Sequence, residues 1–446
     1  MTLSILDAAA EAPERDALLV RGERLRFAKL AERVEEAMRV IEARGHAPDD
    51  DRPAVLLATP TLESLVELYA LIELRVPVHL VHPSLTVSER DALAARATRA
   101  GPMRTEADGP SDRRPLAVVY TSGTSGASKG VVLPRRAFVA SARASEANLG
   151  WRDDDRWLLR IPFAHVGGLS TVTRCLLARR CLVLADDSLP LAEQIERDRV
   201  TLVSLVPTLL RRLLDTGPRR PPPHLRAILL GGAHAPGDLL ADAVGRGWPV
   251  LTTYGLTETC SQVTTQPPGT VNRGELGSGR ALPGVELRIV DDVIQVRGPM
   301  LFSGYFPPAA GSPFLDDGFF ATGDRGRLDA SGNLHVLGRV GDLIVTGGEN
   351  VDPLEVESAL RVCAGVADAC VFGVPDREWG ERVAAAIVPA GDPPHLARLA
   401  AELGERLAGF KRPRAFAFVE RLPLTASGKV DRREAARRFA ARLVDA

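Results

Sequence analysis

An α/β fold is what these 446 residues predict, with a large N-terminal domain of layered α/β subdomains and a β-rich subdomain, followed by a small mobile α+β domain. Three observations carry that prediction. Helical periodicities alternate with short apolar runs as far as Tyr254. From about Glu275 to His335 the texture changes to short alternating runs with many glycines, and after Arg339-Val340-Gly341-Asp342 a second, smaller alternation begins. The boundaries expected from this pattern are 1–338 for the large domain and 343–446 for the small one, with 339–342 between them.

In chain order, Leu30, Val34, Met38 and Ile41 recur at helical spacing after Phe27 and predict an amphipathic helix leading to the strand Ala54-Val55-Leu56-Leu57. A helical stretch from Leu62 to Leu74 precedes a strand at Val76-Pro77-Val78-His79-Leu80. Gly101 to Pro115 has prolines and glycines without period and reads as a loop delivering the buried strand Leu116-Ala117-Val118-Val119. Further strands are predicted at Arg180 to Leu184, Leu202 to Val206, Arg226 to Leu230 and Val250 to Tyr254, each followed by polar or glycine-containing residues. Ligands of open parallel sheets gather at the carboxyl ends of strands, so the following segments draw attention. Val285 to Val290 and Val293 to Val296 mark the β-rich part. In the small domain Asp352 as N-cap, Pro353 at the first helical position and Glu355 three residues after the cap predict a helix start. Strands at Ala369 to Phe372 and Val383 to Val388 follow, then a helix with Leu396, Leu399, Leu403 and Leu407 on one face.

Composition narrows the partners. A formal net charge of −1, with arginines scattered among a matching number of acids, argues against a nucleic-acid polyanion. The five cysteines, Cys175, Cys181, Cys260, Cys363 and Cys370, have no C-x-x-C spacing and read as reduced core residues. Met1 to Asp7 lacks a basic region followed by an apolar one, and no apolar stretch approaches the roughly 20 residues of a membrane span, so no membrane insertion and a cytoplasmic location are expected. A homodimer is left open.

The stretch with the clearest chemistry runs from Tyr120 through Thr121, Ser122, Gly123, Thr124, Ser125 and Gly126 to Lys129 and Gly130. Its glycines let a tight backbone converge its N–H groups, and its hydroxyls and one ammonium add donors around the same concavity, which suits phosphate. No Gly-Lys-Ser/Thr closes it, so it is not the common P-loop. Lys129 gains weight from composition: the chain has four lysines against 52 arginines. A lysine kept in such a chain points to a need for a compact, mobile point charge. Lys429 is the second such case, in the polar turn Thr425-Ala426-Ser427-Gly428-Lys429.

Five distant segments need one explanation: the glycine-rich loop, Pro162-Phe163-Ala164-His165-Val166-Gly167-Gly168, Tyr254-Gly255-Leu256-Thr257-Glu258, Thr322-Gly323-Asp324 with Gly338-Arg339, and the Lys429 turn. Together, and in this order, they resemble the acyl-adenylate-forming enzymes, the superfamily of acyl-CoA synthetases, peptide-synthetase adenylation domains and beetle luciferases. The resemblance spans nearly the whole chain. It implies an AMP-forming acid–thiol ligase with an acyl-CoA synthetase-like fold. ATP, Mg2+ and coenzyme A are the implied cosubstrates and cofactor, with a small carboxylic acid as substrate.

Residue by residue, the resemblance implies that Thr121 to Gly126 and Lys129 hold the ATP β- and γ-phosphates. Glu258 is the implied magnesium ligand, as a hard cation on phosphates takes one or two carboxylates. Thr257 touches the α-phosphate, Gly231, Gly232, Ala233, Tyr254 and Gly255 frame the adenine side, and Asp324 accepts from the ribose hydroxyls with Arg339 beside it. His165 gates the acyl pocket with Gly167, Gly168 and Leu256, and Lys429 bridges the substrate carboxylate and α-phosphate in adenylation. Gly347, Gly348, Phe410, Lys411 and Arg412 are the implied coenzyme A contacts. The small domain is implied to turn between half-reactions about a hinge at 339–342. At the hinge the family usually has Asp or Lys two residues after Arg339, where this chain has Gly341, a departure that removes a side chain able to favour either orientation.

Within the superfamily, Leu202 to Thr208, Thr253 to Gln262 and Gly347-Gly348-Glu349-Asn350 are similar to the o-succinylbenzoate:CoA ligases of menaquinone synthesis. An aromatic acid with a second carboxylate needs an apolar slot plus hydroxyls, amides or a cation, and Ser261 and Gln262 are the candidates for that contact. Aryl- or medium-chain acyl-CoA synthetases, an adenylation enzyme serving a carrier protein or an amine, and a catalytically silent nucleotide-binding homologue are the alternatives.

Overall fold

The computed structural model describes residues 2–99, 103, 111–121, 129–308, 311–425 and 428–445. Ser122, Gly123, Thr124, Ser125 and Gly126 lie outside the described residues, as does most of the loop expected at Gly101 to Pro115. The chain forms two compact units. The first comprises Met1–Leu287, Val296–Phe320 and Ala330–Leu334; the second comprises Arg288–Gln295, Ala321–Asp329 and His335–Ala446.

The first unit is built on two sheets. The larger has nine strands in the order Arg280–Ala281, Ser261–Thr265, Val250–Leu256, Ala227–Leu230, Leu202–Leu205, Arg156–Leu159, Cys181–Leu184, Asp16–Val20 and Glu23–Arg26. The six from Val250–Leu256 to Asp16–Val20 run parallel, while the outer strands are antiparallel. Cys181–Leu184 and Ala227–Leu230 are buried along their whole length, as strands covered on both faces must be. The second sheet has five strands, in the order Gly304–Phe306, Lys129–Pro134, Pro115–Thr121, Val78–Val81 and Ala54–Leu57. Its last three are parallel and its first two antiparallel.

The expected helices stand at Phe27–Ala43 and Leu62–Glu73. Two strands differ from the sequence reading for physical reasons. The strand expected from Val76 begins at Val78, after Pro77, which has no N–H to give a ladder. The strand expected to stop at Tyr254 runs on to Leu256, because Ser261–Thr265 folds back and pairs with it, through a bulge between Tyr254 and Gly255. All five cysteines are free and buried. Among the described residues no helix is long and apolar enough to cross a membrane.

Most residues of the four-stranded sheet Glu286–Val290, Val293–Arg297, Phe320–Leu328 and Leu334–Arg339, the β-rich part expected from the alternating runs, fall in the second unit. This unit also carries a six-stranded sheet in which the long strands Val366–Asp376 and Gly380–Pro389 pair antiparallel. Leu399, Leu403 and Leu407 pack with Val356, Leu360 and Ile387 in one apolar cluster of this unit. Phe439 and Ala435, from the last helix, pack with Phe372 and Ala384 in another. Asp352 caps Pro353–Arg361, but its carboxylate accepts from Leu354 N at 2.9 Å. Glu355 does not complete the expected capping box and instead holds Lys411 Nζ at 2.7 and 2.8 Å. Arg432 pins this unit by reaching Glu357 Oε1 at 2.8 Å, Asp342 Oδ2 at 3.0 Å and the Val371 carbonyl at 2.8 Å. Burial alone would lower the Arg432 pKa, and the attraction of Glu357 and its neighbours outweighs that and raises it.

Candidate active site

In the first unit the chemistry-bearing residues gather at the carboxyl ends of the parallel strands. Thr121 ends one strand and Lys129 begins the antiparallel partner; the two residues face each other in the ladder, and Thr121 Oγ1 donates to the Lys129 carbonyl at 3.4 Å. The two flanks of the glycine-rich stretch are thereby held together. A neighbouring strand supplies Tyr305, whose ring centroid is 5.5 Å from Lys129 Nζ and whose hydroxyl donates to Glu258 Oε1 at 3.2 Å. Tyr305 thus joins Lys129 to Glu258, the expected metal ligand. Sequence reasoning missed it, although the chain has only four tyrosines and Tyr305 follows a glycine in a strand-like run.

Glu258 sits in the tight return between Leu256 and Ser261, and its carbonyl accepts from Phe302 N at 2.9 Å. The return is strained: Cys260 and Ser261 have φ of 49° and 89°. A Cβ on Gly255 would meet the Ser261 carbonyl oxygen at 1.7 Å, so only glycine permits the crossing. Thr257 accepts from Cys260 N at 3.1 Å through its carbonyl, and the Thr259 hydroxyl accepts from Leu256 N at 2.9 Å. Tyr254 is buried in the strand that leads in. Gly231 follows the adjacent strand, where an added Cβ would lie 2.7 Å from Thr253 Cγ2; Gly232 has φ 81° and Ala233 is exposed. Packing of one strand end on the next therefore suffices to require Gly231.

His165 is the N-cap residue of the helix Val166–Ala178, without a side-chain capping bond. A Cβ on Gly168 would meet the Ile161 carbonyl oxygen at 2.3 Å, whereas Gly167 has ordinary room, with Ile161 Cδ1 at 3.6 Å. Further along that helix lies Arg174, 3% exposed, with no carboxylate partner among the described residues. Its Nη2 donates to Ser141 Oγ at 3.2 Å, its Nε has no partner, and its guanidinium stands 5.7 Å from the Trp157 ring centroid. Burial pulls its pKa to about 10, against opposing effects of Cys260 and Cys175, so it stays charged at neutrality. Ser141 and Ser170 both donate to the Cys260 carbonyl, at 2.8 and 3.4 Å, which places Arg174 beside the strained return.

Ser261 and Gln262, the side chains expected at the second carboxylate, stand at the same return, opposite Leu256 and Gly255. Gln262 is buried and its amide nitrogen already donates to Thr265 Oγ1 at 2.7 Å and Thr253 Oγ1 at 3.4 Å. Its remaining oxygen, Oε1, is an acceptor, the wrong polarity for a carboxylate. Ser261 is half-buried at the return. Arg174 was not singled out from sequence because it is one of 52 arginines; only its burial without an acid sets it apart.

In the second unit Asp324 is buried and accepts from Arg339 Nε at 2.8 Å, with its backbone N–H on Thr322 Oγ1 at 3.1 Å. Lys429 closes a turn in which Thr425 N donates to its carbonyl at 2.7 Å and its own N–H donates to Thr425 Oγ1 at 3.2 Å. Its side chain keeps solvent access, yet the protein around its ammonium lowers the pKa; Arg339 adds to this by repulsion and Asp324 opposes it by attraction. The three residues expected at ribose, phosphate and carboxyl therefore share one electrostatic neighbourhood. Gly347 and Gly348 turn the hairpin Ile344–Thr346 to Glu349–Val351 at φ 58° and 85°, and a Cβ on Gly347 would strike the Trp379 ring at 2.7 Å. Phe410 packs on the apolar cluster, Lys411 is held by Glu355, and Arg412 donates to the Leu407 and Gly404 carbonyls at 2.8 and 3.1 Å. Gly341 lies in the short turn Val340–Asp342.

Among the described residues no cluster of three or more His, Cys, Asp or Glu side chains could hold a metal alone. Glu258, oriented by Tyr305 beside Lys129, suits a cation that arrives on nucleotide phosphates and keeps most of its shell from them and from water.

The fold and these residues define an adenylating enzyme, and the chain belongs to the AMP-binding enzyme family, whose model matches residues 88–306 and whose C-terminal domain model matches 355–429. Among its relatives, a 2-succinylbenzoate–CoA ligase of Bacillus licheniformis is 34% identical over 464 aligned residues, covering 94% of this chain and 96% of that one. Another from Enterococcus faecalis is 36% identical over 336 residues, 72% of this chain and 69% of that one. The solved structure of o-succinylbenzoate CoA synthetase (MenE) from Bacillus subtilis with the acyl-adenylate intermediate OSB-AMP gives a TM-score of 0.85 at 31% identity, covering 97% of this chain and 98% of that one. ATP-bound MatB from Rhodopseudomonas palustris gives 0.85 at 29% identity, covering 98% and 99%.

Proposed function

We propose that the chain activates 2-succinylbenzoate with ATP, releasing pyrophosphate and forming the acyl adenylate, and then transfers the acyl group to coenzyme A with release of AMP. The observation that carries the choice of acid is Arg174: a buried guanidinium without a carboxylate beside it is a costly feature unless an anionic ligand completes it. A substrate bearing a second carboxylate and an aromatic ring supplies that anion. The relatives that act on this acid support the same reading.

The roles follow from chemistry and position. The paired residues Thr121 and Lys129, with the Lys129 ammonium, receive phosphate oxygens, and Asp324 receives ribose hydroxyls, for which Arg339 frees or shares one carboxylate oxygen. Glu258 would hold magnesium brought in on the nucleotide, and the bound cation would supply charge neutralisation at the leaving pyrophosphate. Lys429 stabilises the negative charge that builds as the substrate carboxylate meets the α-phosphate; burial and the Arg339 charge lower its pKa, and Asp324 opposes them. His165 borders the acyl site, and Gly347, Gly348 and Phe410 to Arg412 serve coenzyme A. The domain division supported by the end of the strand Leu334–Arg339 and the turn after it is 1–338, 339–342 and 343–446. The use of ATP and coenzyme A as cosubstrates supports a reaction in the cytoplasm.

The test is acid-dependent pyrophosphate release across 2-succinylbenzoate, benzoate and fatty acids, with mass spectrometry of the thioester. Turnover of 2-succinylbenzoate well above benzoate is expected. Equal use of acids with one and two carboxylates would leave the ligase class standing and remove this substrate; adenylation without any acyl-CoA would point to a carrier-protein or amine acceptor.

A further inference from the structure

The strand Val78–Val81 leads directly into His82, a residue to which none of the roles above falls. Its imidazole lies against that of His165, with ring centroids 4.8 Å apart and planes at 41°. The carboxyl ends of the five-stranded and nine-stranded sheets thus meet at two histidines. One nitrogen of His82 is fixed by the chain itself. Ser84 N donates to His82 Nδ1 at 3.1 Å, and Ser84 Oγ lies 2.6 Å from the same atom. A backbone N–H can only donate, so Nδ1 offers its lone pair and the proton of the neutral ring sits on Nε2. Burial, with Arg90 as a second cause, lowers the pKa and favours that neutral ring. The Nε2 atom is buried and has no hydrogen-bond partner among the described residues. A buried donor left unmade is costly, and the Ser84 contacts hold the ring in place. Such a donor, pinned and dry beside the residue that borders the acyl site, is set for an acceptor that arrives with a ligand.

We infer that His82 is a specificity-determining residue of the acyl site, whose Nε2–H donates to an uncharged oxygen in the body of the bound acid, the ketone of a 4-oxo acid. The inference rests on the function proposed above. A ketone oxygen only accepts, matching a group that here only donates. The charged ends of the acid have other partners, Arg174 for the distal carboxylate and Lys429 for the reacting one. A neutral imidazole is the weaker donor of the three and suits the neutral oxygen.

The experiment compares 2-succinylbenzoate with its deoxo analogue, in which a methylene replaces the ketone, by kcat/KM for pyrophosphate release. The oxo acid is expected to be preferred roughly tenfold, the size of one hydrogen bond to an otherwise unpaired donor. In His82→Leu the preference should fall to near unity. His82→Gln, whose amide N–H reaches about as far as Nε2, should restore part of it. A histidine that served packing alone would lower turnover of both acids together and leave their ratio unchanged, which overturns the inference. Equal use of both acids by the unmodified protein overturns it as well, without recourse to any variant. Absence of turnover with either acid would instead remove the ligase reading, and this inference with it.

Discussion

Lys129 and Lys429, two of only four lysines, sit in contrasting settings. Lys129 begins a strand whose ladder fixes its backbone, is exposed, and lies over Tyr305, which in turn holds Glu258. No carboxylate bonds it directly among the described residues, so its charge stays available to a polyanion. Lys429 stands in a turn held by Thr425, with a carboxylate and a guanidinium as electrostatic neighbours. The first is a fixed electrostatic post; the second is poised between an attraction and a repulsion. The difference suits the proposed roles, Lys129 in ground-state phosphate binding and Lys429 where charge develops.

That contrast breaks most visibly at Lys429→Ala. Loss of a preorganised charge at the developing transition state removes about 2.7–4 kcal/mol, so acyl-adenylate formation should fall by roughly two or more orders of magnitude. Thioester formation from presynthesised acyl adenylate and coenzyme A should be far less affected. Both half-reactions are measured separately in the folded variant; equal losses in the two would remove the assignment of Lys429 to adenylation alone.

Next in size is Arg174→Met. Removing one member of a desolvated ionic contact costs about 2–5 kcal/mol of binding, so kcat/KM for 2-succinylbenzoate should fall by one to several orders of magnitude, with much less effect on acids lacking the second carboxylate. Thermal stability should hold or rise, because an uncompensated buried charge is replaced by an apolar side chain of similar length. A fall in stability with unchanged acid preference would make Arg174 a structural residue. Asp324→Ala follows, with ATP affinity reduced by the roughly 1.5–3 kcal/mol of a charge-assisted hydrogen bond; isothermal titration with ATP checks it, and unchanged affinity would refute the ribose role.

The elements of both units were readable where period and punctuation coincide. Leu396, Leu399 and Leu403 face one apolar cluster as their spacing demands, and Pro353 opens its helix where a missing N–H is harmless. What could not be read was set by partners far along the chain. Tyr305 reaches Glu258 only because its strand pairs with Lys129–Pro134, and the strand through Leu256 is prolonged by a return pairing. Glu355 has the right spacing for a capping box, yet Lys411, 56 residues away, takes its carboxylate. Arg174 and His82 share one history: nothing local marks an arginine or a histidine, and their interest lies in what burial withholds from them. Gly231 and Gly255 were expected on the nucleotide side, and the need for glycine at each also follows from the adjacent backbone or side chain of the same sheet, which no local signal reveals.

The smallest effect is expected at Gly341, and it sharpens the contrast between a fixed and a pivoting segment. Gly338, three residues earlier, has φ 131°, and a Cβ there would lie 3.2 Å from the Asp352 carboxylate. Gly338→Ala should therefore be clearly destabilising, since it asks an L side chain to adopt a conformation it rarely takes. At Gly341 an added Cβ meets nothing within 4 Å, and its φ is not in the positive range that requires glycine. Gly341→Ala should then change stability by no more than about 1 kcal/mol, and in the stabilising direction, because it narrows the unfolded ensemble without strain in this conformation. If the residue must also adopt a second backbone conformation during turnover, the same substitution should lower the ratio of thioester formation to adenylate formation while leaving the melting temperature intact. Measuring melting temperature and both half-reactions on Gly341→Ala and Gly338→Ala separates the cases: a stable Gly341→Ala protein with both rates unchanged would show that the glycine at this position is free to be any small residue, and that the pivot, if there is one, lies elsewhere in 339–342.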